Sequence, residues 1–170
     1  MKQFTARHPW AILAAGAAIQ ILTGLPAAWG VFQQPVMDEF SLTEDGAGYA
    51  FGILIAAFGV GCVIGGFLQD KNGPRRAALW GTGLLCGGFF AAALLPGEKG
   101  VWFWAVFSIP AGLGTAFLYP SIQSCAQKWY AGRKGLATGV IGGAVGLSGA
   151  FLTGFVRTAL KGFGPVQGIR

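Results

Sequence analysis

The sequence has few charged residues and few of the groups that carry enzyme chemistry. Asp, Glu, Lys and Arg make up 11% of its 170 residues, against about a quarter in soluble domains. We find no phosphate-binding loop, no metal-ligand cluster and no nucleophile–base pair. Cys62, Cys86 and Cys125 each lie in a hydrophobic stretch without metal spacing, and we expect small buried packing residues there. These absences exclude a soluble enzyme and indicate that no cofactor or metal is used.

The sequence instead contains long uncharged runs. Apolar residues make up 54% of the chain. Five stretches contain no Asp, Glu, Lys or Arg, namely 8–37, 46–69, 77–97, 100–127 and 135–156. Each exceeds the roughly 20 residues that cross the hydrocarbon core of a bilayer as a helix. We therefore expect an all-α membrane protein with five transmembrane helices, at about 10–32, 46–69, 77–96, 101–127 and 135–158.

The charges are unevenly divided between the two sides that this topology defines. If the N-terminus is cytoplasmic, eight bases fall on the cytoplasmic side: Lys2, Arg7, Lys71, Arg75, Arg76, Lys128, Arg133 and Lys134. The other side holds three bases, Lys99, Arg157 and Lys161, and four acids, Asp38, Glu39, Glu44 and Asp45. An excess of Lys and Arg marks cytoplasmic loops. The net charge of +6 thus indicates the topology of a multi-pass protein, in the inner or plasma membrane, and no nucleic-acid partner.

Several polar side chains fall inside the expected spans. In hydrocarbon such groups need a hydrogen-bonding partner or a water-filled cavity. Gln20 lies near mid-depth of the first helix, whose outer half Pro26 is expected to bend. Tyr119 and Gln123 are four residues apart on the fourth helix and share a face. Cavity lining and interhelical hydrogen bonding both remain open for Tyr119, whereas hydrogen bonding is favoured for Gln127.

Glycines recur at four-residue spacing on two of the expected helices. They are Gly48/Gly52 and Gly61/Gly65 on the second, and Gly135/Gly139/Gly143 and Gly142/Gly146 on the fifth. This spacing lets helix backbones approach closely. The third helix has no side chain that indicates a functional site, and we expect it at the periphery of the bundle.

The connection between the second and third helices carries a motif. It is Gly66-x-x-x-Asp70-Lys71-x-Gly73-x-Arg75-Arg76, with Gly73 and Pro74 suited to a tight turn before a new helix. This motif resembles the signature of the major facilitator superfamily. Two further blocks resemble its oxalate:formate antiporter and monocarboxylate transporter branch: Pro35-Val36-x-Asp38, and Lys128-Trp129-Tyr130-x-x-Arg133-Lys134-Gly135-Leu136-Ala137-Thr138-Gly139.

The resemblance implies helices 1–5 of a twelve-helix secondary transporter. Members of the family alternate between inward- and outward-open states by rocking two six-helix halves around a substrate held near the midplane. Helix 6 and the second half have no counterpart in these 170 residues. In the antiporter branch the bases that hold substrate carboxylates come largely from that second half. None of the five helices here has a charged residue at mid-depth, and Arg157 lies toward the outer end of the fifth.

Two functions are therefore weighed. The first is a carrier of small organic anions, represented by an incomplete N-terminal portion, with Tyr119, Gln20, Trp29 and Gln123 lining the substrate cavity. Its conformational gate would be Gly66, Asp70, Lys71, Gly73, Arg75 and Arg76, in which Asp70 and its neighbouring bases latch two helix ends. The second is a truncated remnant without transport activity, or a small multi-pass membrane interaction protein.

Overall fold

A computed structural model describes residues 9–95 and 100–163, which form helices joined by short turns, with no strand in those two ranges. The helices are α1 (Pro9–Thr23), α2 (Leu25–Phe40), α3 (Glu44–Asn72), α4 (Pro74–Ala93), α5 (Gly100–Phe103), a π-helical turn (Trp104–Ser108), α6 (Ile109–Trp129), a 3-10 turn (Ala131–Arg133) and α7 (Lys134–Phe163). The expected all-α architecture is confirmed. Lys2, Arg7, Lys99 and Pro96-Gly97 lie outside the described residues, and of Glu39, Arg157 and Lys161 only the helical backbone is described.

The first expected helix, 10–32, is divided into α1 and α2 by a break at Gly24. Gly24 has φ −74° and ψ 45°, outside the helical region, and Pro26 follows in the first turn of α2. Because proline has no N–H, it fits the first turn of a helix better than an interior position. α2 then runs on to Phe40. Asp38, expected in a loop over 37–45, therefore lies in the last turn of this helix.

The short connection between α2 and α3 is built from two caps. Ser41 ends α2 with a left-handed φ of 50°. Thr43 begins α3, where its hydroxyl accepts a hydrogen bond of 3.2 Å from the Gly46 N–H. Glu44 and Asp45 occupy the first turn of α3, where carboxylates interact favourably with the positive end of the helix dipole. Thr43 is therefore the N-cap of α3.

α6 packs between α3 and α4 at backbone distance. A Cβ added to Gly112 would lie 2.5 Å from the Leu54 carbonyl oxygen of α3, and one added to Gly114 would lie 2.7 Å from the Gly81 carbonyl oxygen of α4. Such separations exclude any side chain at either position. The two glycines therefore bring three helix backbones together, which strengthens dispersion contacts between them.

Glycines with the same four-residue spacing on α3 and α7 have different surroundings. Gly61 and Gly65 face α6, and a Cβ at either would lie under 3.0 Å from Ala116 or Phe117. Around Gly48 and Gly52 of α3 there is no such neighbour within 4 Å, nor around a set of α7 glycines: Gly135, Gly139, Gly142, Gly143 and Gly146. The close approach expected from spacing is therefore confirmed for Gly61/Gly65 and is not observed for the other pairs within the described residues.

α1 and α2 pack on α7, and α4 lies on the other side of α6. A Cβ at Gly16 of α1 would lie 3.0 Å from Ile141 of α7 and 3.1 Å from Ile122 of α6. α4 contacts chiefly α6, α3 and the π-helical turn, which agrees with the peripheral place expected for it. Its Cys86 is exposed, and Cys62 and Cys125 are half-buried. The expectation of a buried packing residue is therefore wrong for Cys86, which faces outward, and is met only partly by Cys62 and Cys125.

Three helices among the described residues are long and apolar enough to cross a membrane: Glu44–Asn72, Trp104–Trp129 and Ala131–Leu152, with Trp10–Thr23 as a shorter apolar helix. α4 has 20 residues but begins with Pro74, Arg75 and Arg76 and contains four glycines, all of which lower its mean hydropathy. Much of the surface of these helices is apolar and exposed, including Val60, Val63 and Phe67 of α3. These features define a multi-pass membrane protein.

Candidate functional site

The connection between α3 and α4 is a single-residue turn at Gly73. Its φ of 84° and ψ of 158° lie in a region that L side chains rarely adopt. The Gly73 N–H donates to the Gln69 carbonyl at 2.8 Å and closes α3, while Pro74 is the first residue of α4. The tight Gly-Pro turn expected from the motif is therefore observed, and it fixes the relative direction of two membrane helices.

The charged residues of the motif are not paired in this conformation. Asp70, Lys71, Arg75 and Arg76 are all exposed. Within the described residues no ion pair is formed at an N–O distance of 4.0 Å or less. Gly66, the first residue of the motif, is half-buried and has open space where a side chain would begin. The structure thus presents the Asp70 carboxylate without a cation, and the latch stays a prediction.

Gln20 lies in the interior of the bundle, on the face of α1 that meets α7. It is 1% exposed, and it lies between Gly16 and Gly24, which contact Ile141 and Ser148 of α7 one turn away on either side. Its Oε1 is 3.4 Å from the Thr23 hydroxyl, and its Nε2 has no hydrogen-bond partner. A buried amide nitrogen without an acceptor is costly, so this group is suited to receive one.

A hydrogen bond that sequence reasoning missed holds the break in the first helix. The Ser148 hydroxyl of α7 donates to the Gly24 carbonyl at 3.0 Å, and it also lies 2.6 Å from the Val145 carbonyl in its own helix. A Cβ on Gly24 would collide with the Ser148 side chain. Ser148 is fully buried. Its contact is separated by 124 positions in sequence, and no local pattern identifies the pair.

Tyr119 and Gln123 lie together on α6, near the level of Gln20. Both are half-buried, and Gln123 Oε1 is buried without a hydrogen-bond partner. The Tyr119 ring lies 6.3 Å from the ring of Phe58 on α3. Ile122 of α6 faces Gly16 of α1. Because α1 and α6 run in opposite directions, Gln20, one turn after Gly16, lies at about the level of Tyr119, one turn before Ile122.

Trp29 is separate from these three residues. It is 6% exposed and belongs to an apolar cluster with Ala50, Leu54, Phe103, Phe107 and Ala111. Its ring stacks on Phe51 of α3 at 5.8 Å. Phe51 and the Tyr119 neighbour Phe58 are seven residues apart on α3, or about 10 Å along the helix axis. The structure therefore places Gln20 near the level of Tyr119, with Gln123 one helical turn away on α6, and Trp29 nearer the α2–α3 end.

Gln127 links α6 to α7, as favoured from sequence. Its Nε2 donates to the Thr138 hydroxyl at 2.9 Å. The bond joins two helices on either side of the 3-10 turn Ala131–Arg133, so it holds the start of α7 against the end of α6. This residue is accordingly part of the scaffold that positions Gln123 and Tyr119, one and two turns earlier on α6, respectively.

The described residues thus form a bundle of apolar helices in which a Gly-Pro turn joins α3 and α4. The family model described as Major Facilitator Superfamily matches residues 10–164. The chain belongs to the major facilitator superfamily.

Relatives with assigned names include three transporters. The oxalate:formate antiporter of Oxalobacter formigenes is 23% identical over 83% of this chain and 33% of its own length. Monocarboxylate transporter 9 of Mus musculus is 28% identical over 81% of this chain and 27% of its own. A riboflavin transporter of Saccharomyces cerevisiae is 28% identical over 72% and 24%. The chain thus spans a third or less of these relatives, whose names share no single substrate.

Proposed function

We propose that the chain forms the first helices of a secondary carrier of small organic anions, of the oxalate, formate or monocarboxylate type. The observation that supports this proposal is the buried, unpartnered Nε2 of Gln20 on α1, with the half-buried polar side chains Tyr119 and Gln123 on the neighbouring α6. The names of the antiporter and monocarboxylate relatives support an anionic substrate, and the riboflavin relative keeps the substrate class open to test.

The three side chains suit a carboxylate as hydrogen-bonding groups rather than as counter-ions. Gln20 offers an unpartnered Nε2, and the Tyr119 hydroxyl and the amide of Gln123 are further donors. No charged side chain of the described residues lies at this level. A carboxylate taken from water into such a site also needs a cation. We assign that cation to helices outside this chain.

The open surfaces of α3 and α7 support a bundle that continues beyond these helices. A Cβ added to Gly48, Gly52, Gly139 or Gly143 would meet no other helix within 4 Å among the described residues. Small residues on a membrane helix favour contact with another helix, because lipid chains fill such grooves less completely. About two thirds of the length of the antiporter relative lies outside the matched region. A complementary set of helices is therefore the partner that we infer for this chain.

The α3–α4 turn would act as the gate. Gly73 and Pro74 hold the two helices at a fixed angle, while the unpaired Asp70 carboxylate is available to a cation in another conformation. A salt bridge of Asp70 that forms in only one conformation would favour that conformation by the free energy of the salt bridge. This gate lies on the cytoplasmic side if the N-terminus is cytoplasmic, as the charge distribution favours.

Transport by a completed carrier tests the proposal. The chain is reconstituted in liposomes with the remaining helices of the oxalate:formate antiporter supplied as a second chain, and uptake of labelled oxalate, formate and lactate is measured. We expect Tyr119→Phe and Gln123→Leu to raise KM, and Asp70→Asn to lower the rate at saturation. Gly83→Ala, at an exposed position of the peripheral α4 where a new Cβ meets nothing within 4 Å among the described residues, serves as the matched control. Uptake of uncharged riboflavin in preference to the three anions would contradict the substrate class.

If the completed carrier transports nothing while both chains are folded and associated, the chain is the non-transporting remnant or membrane interaction protein considered above. Far-UV circular dichroism and co-purification of the two chains separate that outcome from a failure to assemble.

A further inference from the structure

The end of the bundle where α3 meets α4 and α6 meets α7 is strongly basic. Six exposed bases lie at these two connections, and we call them the basic end: Lys71, Arg75, Arg76, Lys128, Arg133 and Lys134. Asp70 is the acid among them. The transport proposal uses the first connection as a gate and gives no role to the bases of the second.

Both connections lie at the same end because α3 and α6 run in the same direction. Gly112 of α6 faces Leu54 of α3, and Phe117 faces Gly65 further along both helices. From that last contact α3 continues for seven residues to Asn72, and α6 for twelve to Trp129. These lengths correspond to about 10 Å and 18 Å, so α6 extends about 8 Å, or one and a half turns, beyond the α3–α4 turn.

The described residues offer this charge almost no compensation. No ion pair is formed among them at 4.0 Å or less. The acids Glu44 and Asp45 are in the first turn of α3, at its opposite end. The first turns of α4 and α7 contain bases and no acid, although the helix dipole favours acids there. Because no nearby acid neutralises these bases, we expect the basic end to attract an external anion more strongly than an ordinary cluster of surface lysines does.

Exposed apolar side chains set the depth of these charges. Phe67 of α3 is 73% exposed, and Leu79 and Trp80 of α4 are each 64% exposed. Phe67 lies one turn before Lys71, and Leu79 one turn after Arg75. The apolar surface of α3 and α4, which suits contact with lipid hydrocarbon, thus continues to about one turn from the bases. Long basic side chains can reach from the end of such a surface to the lipid headgroups.

We propose that the basic end binds the phosphates of anionic phospholipid headgroups, with Lys128, Arg133 and Lys134 forming one contact and Lys71, Arg75 and Arg76 another. Charge complementarity and depth both select this occupant, since headgroup phosphates lie at the level where the apolar surface of α3 and α4 ends. Bases near an anionic membrane surface each add to its attraction, corresponding to about a fivefold preference per base.

Lipid retention by the intact 170-residue chain tests this proposal. The protein is reconstituted in nanodiscs of equal parts phosphatidylglycerol and phosphatidylcholine, released into detergent, and the lipids that remain bound are counted by native mass spectrometry. The test variant is the triple substitution Lys128→Gln, Arg133→Gln and Lys134→Gln, which leaves the gate motif intact. The matched control is Lys128→Arg, Arg133→Lys and Lys134→Arg, which keeps every charge.

We expect the wild type and the charge-conserving control to retain phosphatidylglycerol preferentially, and the neutralised variant to lose at least about tenfold of that preference. Raising salt from ~0.1 M to ~1 M shortens the screening length from ~10 Å to ~3 Å and should reduce the preference of the wild type, which requires no variant to fold. Inorganic phosphate at equal concentration should displace little lipid.

Equal retention of the two lipids by the wild type would overturn the proposal. So would an unchanged preference in the neutralised variant, or release of phosphatidylglycerol by inorganic phosphate or by added RNA as effectively as by salt. None of these outcomes depends on transport, so the result is independent of the carrier proposal.

Discussion

The α3–α6 contact gives a sharp test of the packing, because two glycines in similar helical positions have opposite surroundings. In Gly112→Ala the new Cβ would lie 2.5 Å from the Leu54 carbonyl oxygen and 2.8 Å from the Ala57 Cβ. In Gly52→Ala the new Cβ meets nothing within 4 Å. Both changes gain the same helix propensity, about 0.8–1 kcal/mol in water.

Propensity therefore cancels between the two variants, and the difference is the cost of separating α3 from α6. Overpacking by one methyl group costs about 1–3 kcal/mol. A domain of this size shifts its melting temperature by about 2–4 °C per kcal/mol. We accordingly expect Gly112→Ala to melt about 2–12 °C below Gly52→Ala in detergent micelles, followed by tryptophan fluorescence. Equal melting temperatures would refute the reasoning, since they would show that α3 and α6 do not meet at backbone distance.

Three further features are probed by substitution in the same thermal assay. Ser148→Ala removes the hydroxyl that donates to Gly24 and should cost about 0.5–1.5 kcal/mol, with no loss if the break in the first helix is held otherwise. Gly73→Ala places a Cβ at φ 84° and should cost about 1 kcal/mol or more, whereas Gly66→Ala, with open space around it, should cost nothing measurable. Gln127→Leu and Thr138→Val should each lower the free energy of unfolding by about 0.6–2 kcal/mol. If both effects come from the loss of the same hydrogen bond, the double variant should lose no more stability than either single variant.

Local chemistry made some features of the fold predictable from sequence. Gly73 followed by Pro74 between two apolar runs indicates a tight turn, because only glycine adopts the required φ without strain and proline suits the first residue of a helix. Thr43 before Glu44 and Asp45 is likewise a local capping signal. Gln127 was expected to find a partner on another helix, because burying an amide in hydrocarbon without a hydrogen bond is unfavourable.

Features that depend on long-range packing were not predictable. The four-residue spacing of Gly48/Gly52 equals that of Gly61/Gly65, yet only the second pair meets α6, because spacing shows that a face is small and not which neighbour it meets. The break at Gly24 depends on Ser148, more than a hundred residues away.

Trp29 shows the same limit at the candidate site. An aromatic residue near the end of a helix fits a cavity wall and an apolar cluster equally well by sequence. Its ring packs on Phe51 and among the aromatic residues Phe103 and Phe107, and the level of Gln20 and Tyr119 lies further along the bundle. The position of a side chain relative to the interior of a bundle depends on helix rotation, which the sequence of one helix does not determine.

The most direct test of the central claim is uptake of labelled oxalate, formate and lactate into liposomes that contain only these 170 residues, compared with liposomes that also contain the complementary helices. The account predicts no saturable uptake by the chain alone, because Gln20, Tyr119 and Gln123 supply hydrogen bonds but no cation, and saturable uptake of an anion by the completed carrier. Saturable uptake by the chain alone would contradict it, since a complete anion site would then exist within these helices or their oligomer.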